Sequence, residues 1–256
     1  MLLTVDIGNT NTNFCIFNGD NIVHSFKIST DKDKLEDEYG ILILELLKTA
    51  GYFGKIKASI VSSVVTPLDD VFCNALKKYL QISTYFINYK SKMPINIKID
   101  KPAELGADRI ANASAASYLY KLPAIVIDFG TATTFDVIDK NKNFIGGLIA
   151  PGLLIQARAL SSFTSKLPKI KIEAPKNVIA RDTIDAMMSG IVTGQACMIE
   201  GMIKRYEEEM DEKPIIIATG GLSSVLLDCM IRKFDFIDKN LTHKGLKILY
   251  DMNFKD

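Results

Sequence analysis

The chain has little charge imbalance to offer a polyanion, since 31 lysines and arginines stand against 30 aspartates and glutamates, a formal charge of +1 over 256 residues. Without a global field of the kind that carries nucleic-acid or anionic-membrane binding, any anionic ligand has to be held locally. Histidine is scarce, and His24 and His243 are too far apart in sequence to suggest a zinc site. The four cysteines, Cys15, Cys73, Cys197 and Cys229, never form a CxxC pair and read as reduced core residues of a cytoplasmic protein. No apolar run reaches the roughly 18 residues of a membrane span, so no membrane partner is expected. The opening Met1 to Asp6 has neither the cationic region nor the apolar core of a signal peptide. Two glycine-rich fingerprints, G-x-x-x-x-G-K-[ST] and G-x-G-x-x-G, are also missing, which disfavours the two commonest nucleotide-binding frameworks.

What is present is a chain of one to two domains at about 150 residues each, with ordinary globular composition: 48% hydrophobic and 24% charged residues. Short β-rich runs alternate with helical stretches, which reads as α/β layering. Leu2 to Val5, Asn13 to Phe17 and Ile22 to Ile28 are expected strands, the last two joined by the turn Asn18-Gly19-Asp20. Helices are expected at Asp37 to Ala50, after Pro67, and at Ala107 to Tyr120, with strands at Ala58 to Ser62 and Ser83 to Ile87. Further on, Asp182 to Met210, Ser223 to Arg232 and Thr242 to Met252 read as helices and Ile215 to Ala218 as a strand.

The opening recurs halfway along the chain. Val5-Asp6-Ile7-Gly8-Asn9-Thr10-Asn11-Thr12 resembles Ile127-Asp128-Phe129-Gly130-Thr131-Ala132-Thr133-Thr134, and each copy is followed by a strand, a turn and another strand. Agreement in residue identity and turn chemistry together points to duplication, hence two similar lobes with a cleft between them. The interruption Lys121-Leu122-Pro123 places the boundary near residue 118, giving lobes 1–118 and 119–256.

Asp-x-Gly-x-Thr after an apolar strand suits a phosphate site, because glycine permits close backbone approach while hydroxyl, amide and N–H groups donate to oxyanions. One copy alone is equally a hairpin turn whose Asp and Asn satisfy their own backbone. Two copies could grip the phosphates of one nucleotide, with Asp6 and Asp128 supplying charge for metal ions. Thr219-Gly220-Gly221, between a strand and a helix, could let a base and ribose lie on bare backbone, although alone it is also an ordinary strand-to-helix turn. Glu104-Leu105-Gly106-Ala107-Asp108-Arg109 sets a carboxylate beside a guanidinium at a helix start. Asp108 there is either a capping residue or a proton acceptor for an alcohol nucleophile.

Taken together the motifs resemble the superfamily of acetate and sugar kinases, heat-shock chaperones and actin. Within it, Asp6 to Thr12, Glu36-Asp37-Glu38-Tyr39-Gly40, Ser62-Ser63-Val64-Val65-Thr66-Pro67, Glu104 to Arg109, Asp128 to Thr134, Gly146 to Gly152, Thr183 to Gly190 and Thr219 to Gly221 resemble type III pantothenate kinase in order and over nearly the whole length. The resemblance implies an α/β fold of two duplicated ribonuclease-H-like lobes, with mixed sheets flanked by helices and an ATP cleft between them. It implies phosphorylation of pantothenate by ATP with Mg2+ and a monovalent cation, K+ or NH4+, in a homodimer whose interface helps complete the pantothenate pocket. Asp6, Ile7, Gly8, Asn9, Thr10, Asn11, Thr12 and Asn13 would form the first ATP segment and Thr131 the second. Gly220 and Gly221 would serve the adenosine. Asp128 would bind the monovalent cation, with Asp6 the other metal-facing carboxylate. Gly106, Ala107, Asp108, Arg109 and Thr183 would contact pantothenate, Asp108 as general base. Two positions depart from the family pattern: Ile99 stands where tyrosine is frequent and Lys101 where asparagine is common. They bear on substrate affinity rather than reaction class. The alternative is a nucleotide-binding accessory protein of the same fold in transcriptional regulation, which would have no use for Asp108 with Arg109.

Overall fold

The structure, a computed structural model, describes residues 1–254. It resolves into two compact units, Met1–Leu119 joined by the C-terminal helix, and Tyr120–Asn240. In the first, β1 (Leu2–Ile7), β2 (Asn11–Asn18), β3 (Asn21–Ser29), β4 (Ala58–Ser63) and β5 (Ser83–Phe86) lie in the order β3-β2-β1-β4-β5. The first three strands pair antiparallel, whereas β4 runs parallel to both β1 and β5. Alternation along β1 divides its side chains. Leu3, Val5 and Ile7 enter a core with Phe14 and Ile16, closed by Tyr39, Ile43 and Leu47 of α1 (Glu36–Thr49) and Phe72, Ala75 and Leu76 of α2 (Asp69–Leu80).

The other face of the sheet is covered by α3 (Ala107–Leu119), which follows a two-residue strand β6 (Asn96–Ile97), and by the C-terminal helix Leu241–Phe254. That helix was expected in the second lobe and belongs to the first. Its His243 Nδ1 lies 2.8 Å from Thr4 Oγ1 on β1, whose hydroxyl also donates to the Cys15 carbonyl at 3.2 Å. Thr242 donates to Asn112 of α3 at 2.8 Å, and buried Lys247 pairs with Asp20 at 3.1 Å. The polar face of β1 needs a partner with matching groups, and the end of the chain supplies it, a match that local periodicity does not display.

The second unit repeats the plan. Strands β7 (Ala124–Phe129), β8 (Ala132–Ile138), β9 (Asn143–Pro151), β10 (Ile215–Thr219) and β11 (Phe236–Ile237) run β11-β10-β7-β8-β9, with β7 antiparallel to β8 and parallel to β10. Antiparallel first three strands and parallel remainder, twice in one chain, make both units ribonuclease-H-like. Helices α4 (Leu153–Phe163) and α6 (Gly194–Met210) build its core with Ile125, Ile127, Phe135 and Ile216, and the short α5 (Thr183–Met188) precedes α6. Between α5 and α6 the chain continues as a π-helical segment, Ser189–Thr193. This Thr183–Met210 stretch is long and apolar enough to cross a membrane by length and composition. Its Met187, Ile191, Val192, Ala196, Ile199 and Ile203 are buried in the core instead. The helix expected over Ser223 to Arg232 is a single turn, α7 (Ser223–Leu226). Beyond it the Glu200 carboxylate accepts the N–H groups of Ile231 and Arg232, at 2.6 and 2.9 Å, satisfying that backbone without a helix. The final helix, Leu241–Phe254, is α8.

Candidate active site

The first turn joins β1 to β2, and its Gly8 N–H donates to the Asn11 carbonyl at 3.1 Å. The second joins β7 to β8, and its Gly130 N–H donates to the Ala132 carbonyl, also at 3.1 Å. The duplication therefore reaches the hydrogen bond that closes each turn, but the second loop is one residue shorter. Asp6 faces Asn13 across the first hairpin, and Asp128 faces Thr134 across the second. Structurally Asn13 thus matches Thr134, one position off the alignment of the bare motifs.

Asn9, Thr10 and Asn11 form the open tip of the first turn, half-buried to exposed. Ile7 and Thr12 differ from them. The Ile7 side chain is fully buried and its carbonyl accepts the Val64 N–H at 3.1 Å. Buried Thr12 Oγ1 meets Thr30 Oγ1 at 2.9 Å. Both brace the turn, so any ligand contact from Ile7 is through backbone alone. The Asp6 carboxylate accepts from Ser62 Oγ at 2.6 Å on one oxygen and, longer, from Asn13 Nδ2 at 3.5 Å on the other. Burial of Cys15, and after it the Asp6 charge, push its thiol up to about 12, leaving that sulfur protonated and inert. No disulfide involves any of the four cysteines.

Asp108 sits in the first turn of α3, where its carboxylate accepts the Arg109 N–H at 2.8 Å. The capping role weighed from sequence is therefore present, and it orients the side chain. Burial raises the Asp108 pKa above the ordinary carboxylate value, opposed by the Arg109 N–H and the guanidinium charge. Gly106 makes room for it: a Cβ there would stand 2.5 Å from Asp108 Oδ1 and 3.6 Å from Val64 Cγ1. Val64 follows directly on β4, so the Gly106-to-Arg109 segment adjoins the same end of the sheet as Asp6 and Ser62.

In the second unit Gly220, at φ +87°, lies against the opening of the second turn. A Cβ would fall 2.6 Å from Asp128 Oδ1 and 2.7 Å from Phe129 backbone. Gly152, which begins α4, approaches Thr131 so closely that a Cβ would lie 2.3 Å from its carbonyl oxygen. Gly220 thus lies against Asp128 and Gly152 against Thr131, two places on the one β7–β8 turn, while Gly221 is exposed at the next position. Thr183 is not joined to them by any described contact; it is the exposed first residue of α5, whose cap is Asp182 accepting the Asp185 N–H at 2.9 Å.

Sequence reasoning assigned no role to Ser62 or Gly152. Both stand in motifs that carried the family resemblance, but their places beside Asp6 and Thr131 depend on strand pairing and on the start of α4. Among the described residues no group of three or more His, Cys, Asp or Glu side chains could hold a metal. The donors present are carboxylate and hydroxyl oxygens flanked by backbone N–H groups, a set that fits a hard cation arriving with phosphate oxygens rather than one caged by protein alone.

Comparison with known proteins agrees with this geometry. Residues 2–205 match the type III pantothenate kinase family. The type III pantothenate kinase of Halalkalibacterium halodurans is 42% identical over 254 residues, 99% of this chain and 100% of the relative. That of Syntrophus aciditrophicus is 41% identical over 99% of this chain and 100% of its own. Among solved structures, a provisionally titled Baf family transcriptional activator from Campylobacter jejuni superposes with a TM-score of 0.61 at 23% identity, covering 98% of each chain. A ROK family glucokinase from Streptomyces griseus, solved with glucose and AMPPNP, gives 0.55 at 12% identity over 99% of this chain and 100% of its own. These two share the fold. On the family match and the full-length relatives, the chain belongs to the type III pantothenate kinase family.

Proposed function

We propose that this protein transfers the γ-phosphoryl group of ATP to the primary hydroxyl of pantothenate, forming 4'-phosphopantothenate, the first step of coenzyme A biosynthesis. The observation that carries the reading is a half-buried carboxylate, Asp108, held by the Arg109 N–H in space that a glycine at 106 leaves open, in a chain of this family. Phosphoryl transfer asks little covalent chemistry of a protein, so positioning and charge compensation dominate.

Asp108 accepts the hydroxyl proton. Because an alcohol's pKa lies far above that of a carboxylate, the proton moves late, and Asp108 first orients the oxygen for in-line attack. A base must be ionised, so activity falls as pH drops through the Asp108 pKa, which burial has raised. Gly106, Ala107, Arg109 and Thr183 bind the pantothenate, with the guanidinium countering anionic charge. Residues Asp6 to Asn13 and Thr131 hold the phosphates of ATP, and Gly220 and Gly221 the adenosine. Mg2+ would compensate phosphate charge and is assigned to Asp6, while a monovalent cation, K+ or NH4+, is assigned to Asp128.

A homodimer belongs to the same reading. Phe163, Ile179 and Ile184 expose 89%, 87% and 49% of their surface, a large apolar allotment for side chains on one unit. Phe163 borders a groove of about 500 Å³ with Leu160, Met187 and Ile191. Nothing in the structure favours the regulatory alternative over the enzyme, and a binding module has no need of the Asp108 arrangement. The test is a phosphoryl-transfer assay with pantothenate, ATP and Mg2+ in potassium or sodium buffer, run beside other alcohols. Turnover selective for pantothenate and lost in Asp108→Asn is expected. Transfer to other alcohols alone, or a fully active Asp108→Asn, contradicts the assignment.

A further inference from the structure

The parallel pairing of β1 with β4 sets Ser62 directly beside Asp6, and the antiparallel pairing of β1 with β2 sets Asn13 on the other side. The three form a polar row across the end of the sheet. Ser62 is fully buried, and its hydroxyl donates to Asp6 Oδ1 at 2.6 Å, a short bond of the charge-assisted kind. A buried serine hydroxyl costs stability unless it is satisfied, and here the satisfaction comes from a site carboxylate.

The same row recurs in the second unit. Asp128 stands between Thr134 on β8 and Thr219 on β10, and Thr219 is buried as Ser62 is. Each aspartate of the duplicated motif thus has a hydroxyl residue at the neighbouring position of the parallel strand. A chance polar residue in one sheet need not reappear at the matching register of the other.

We propose that Ser62 is a positioning residue, its hydroxyl locking the Asp6 carboxylate in the rotamer that faces the Mg2+–nucleotide. The proposal rests on the reading above that Asp6 serves the nucleotide. With Oδ1 tied to Ser62 at 2.6 Å and Oδ2 reached only at 3.5 Å by Asn13, the serine is the shorter of these two tethers and fixes the rotation of the carboxylate. Asp6 touches the ligand; Ser62 acts through it.

The test compares Ser62→Ala with Ser59→Ala. Ser59 is a buried serine on the same strand whose hydroxyl bonds Thr84 Oγ1 at 2.8 Å, away from Asp6. Binding of Mg2+–AMPPNP is measured by calorimetry, with thermal midpoints and the Michaelis constants for ATP and pantothenate alongside. Ser62→Ala is expected to weaken Mg2+–AMPPNP roughly tenfold and raise the constant for ATP by a similar factor, leaving that for pantothenate within about twofold. Ser59→Ala is expected to lower the thermal midpoint with binding unchanged. In an Asp6→Asn background the Ser62→Ala change should add less than about twofold, because the two act as one unit. If Ser62→Ala fails to fold, Ser62→Cys carries the same comparison with a weak donor of similar size. Equal binding losses in Ser59→Ala and Ser62→Ala, or a full tenfold loss from Ser62→Ala on top of Asp6→Asn, overturn the proposal. Should the unmutated protein bind no Mg2+–AMPPNP at all, it is the nucleotide reading that fails; binding intact in both it and Ser62→Ala defeats the positioning role alone.

Discussion

Replacing Gly106 by alanine adds one methyl group at a place where its consequences for stability and for activity separate. The new Cβ would lie 2.5 Å from Asp108 Oδ1, about an ångström inside contact, while the next nearest atom, Val64 Cγ1, is at an ordinary 3.6 Å. Gly106 does not occupy the left-handed region, so the backbone accepts alanine, and the loss of unfolded-state freedom stabilises by about 0.4–1 kcal/mol. What must move is the carboxylate, which swings off the Arg109 N–H it holds at 2.8 Å. Losing a hydrogen bond to a charged group costs about 1.5–3 kcal/mol, leaving a net destabilisation of about 1–2 kcal/mol, or a fall of roughly 2–8 °C in melting temperature for a chain of this size. Activity should suffer far more. A displaced base is worth roughly 100-fold in kcat, equivalent to about 2.7 kcal/mol of barrier. Leaving the Arg109 N–H would by itself raise the pKa, but burial is the larger influence, so a carboxylate expelled into water relaxes downward and the acid limb of the pH–rate profile moves to lower pH. Steady-state kinetics at saturating ATP and pantothenate across pH 4–8, with melting curves, read both quantities. A kcat within twofold of the unmutated protein, with the limb unmoved, would refute the claim that Gly106 exists to seat Asp108.

Restoring tyrosine at Ile99 should lower the Michaelis constant for pantothenate by up to about tenfold with little change for ATP; unchanged constants would place residue 99 outside the pocket. Potassium or ammonium should activate far better than sodium, and Asp128→Ala should erase the difference, whereas equal rates in sodium and potassium would contradict the assignment of that carboxylate. His243, buried against Thr4, has its pKa lowered from 6.5 to about 4. The unfolded chain therefore binds the extra proton first, and stability is lost as pH falls from 6.5 toward 4, by about 3 kcal/mol at most. Denaturant titrations at pH 7 and 4.5 should show this loss shrinking in His243→Asn, and an identical pH dependence in both would exclude His243 as its source. Gly245→Ala drives a Cβ to within 1.9 Å of the Ala111 carbonyl oxygen, forcing α8 from α3. A destabilisation of about 3 kcal/mol or more is expected by urea unfolding, and a loss below about 1 kcal/mol would mean the helices are not packed that closely.

Much of this protein was legible in its sequence because the signals are local. Apolar runs of strand length and the turn after each placed the three opening strands of each unit, and the duplicated Asp-x-Gly turns stood out because residue identity and turn chemistry are both short-range. Asp108 beside Arg109 at a helix start was visible for the same reason, as was its capping bond to the adjacent N–H. Pairing between distant segments was not. Ser62 reaches Asp6 across 56 residues only because β4 adds to β1 in parallel register. The one-residue difference between the two turns shows only in which residues face each other across the hairpins. Local helical period also placed Ser223 to Arg232 in one helix, but the Glu200 carboxylate takes the backbone N–H groups that a continuing helix would have used. The last helix shows the division most plainly. Its amphipathic pattern announced a helix, yet which unit it covers was decided by the match of His243 to Thr4, Thr242 to Asn112 and Lys247 to Asp20. Periodicity specifies that a face will be buried; the partner is chosen by shape and hydrogen-bonding complementarity between segments that the linear chain keeps more than a hundred residues apart.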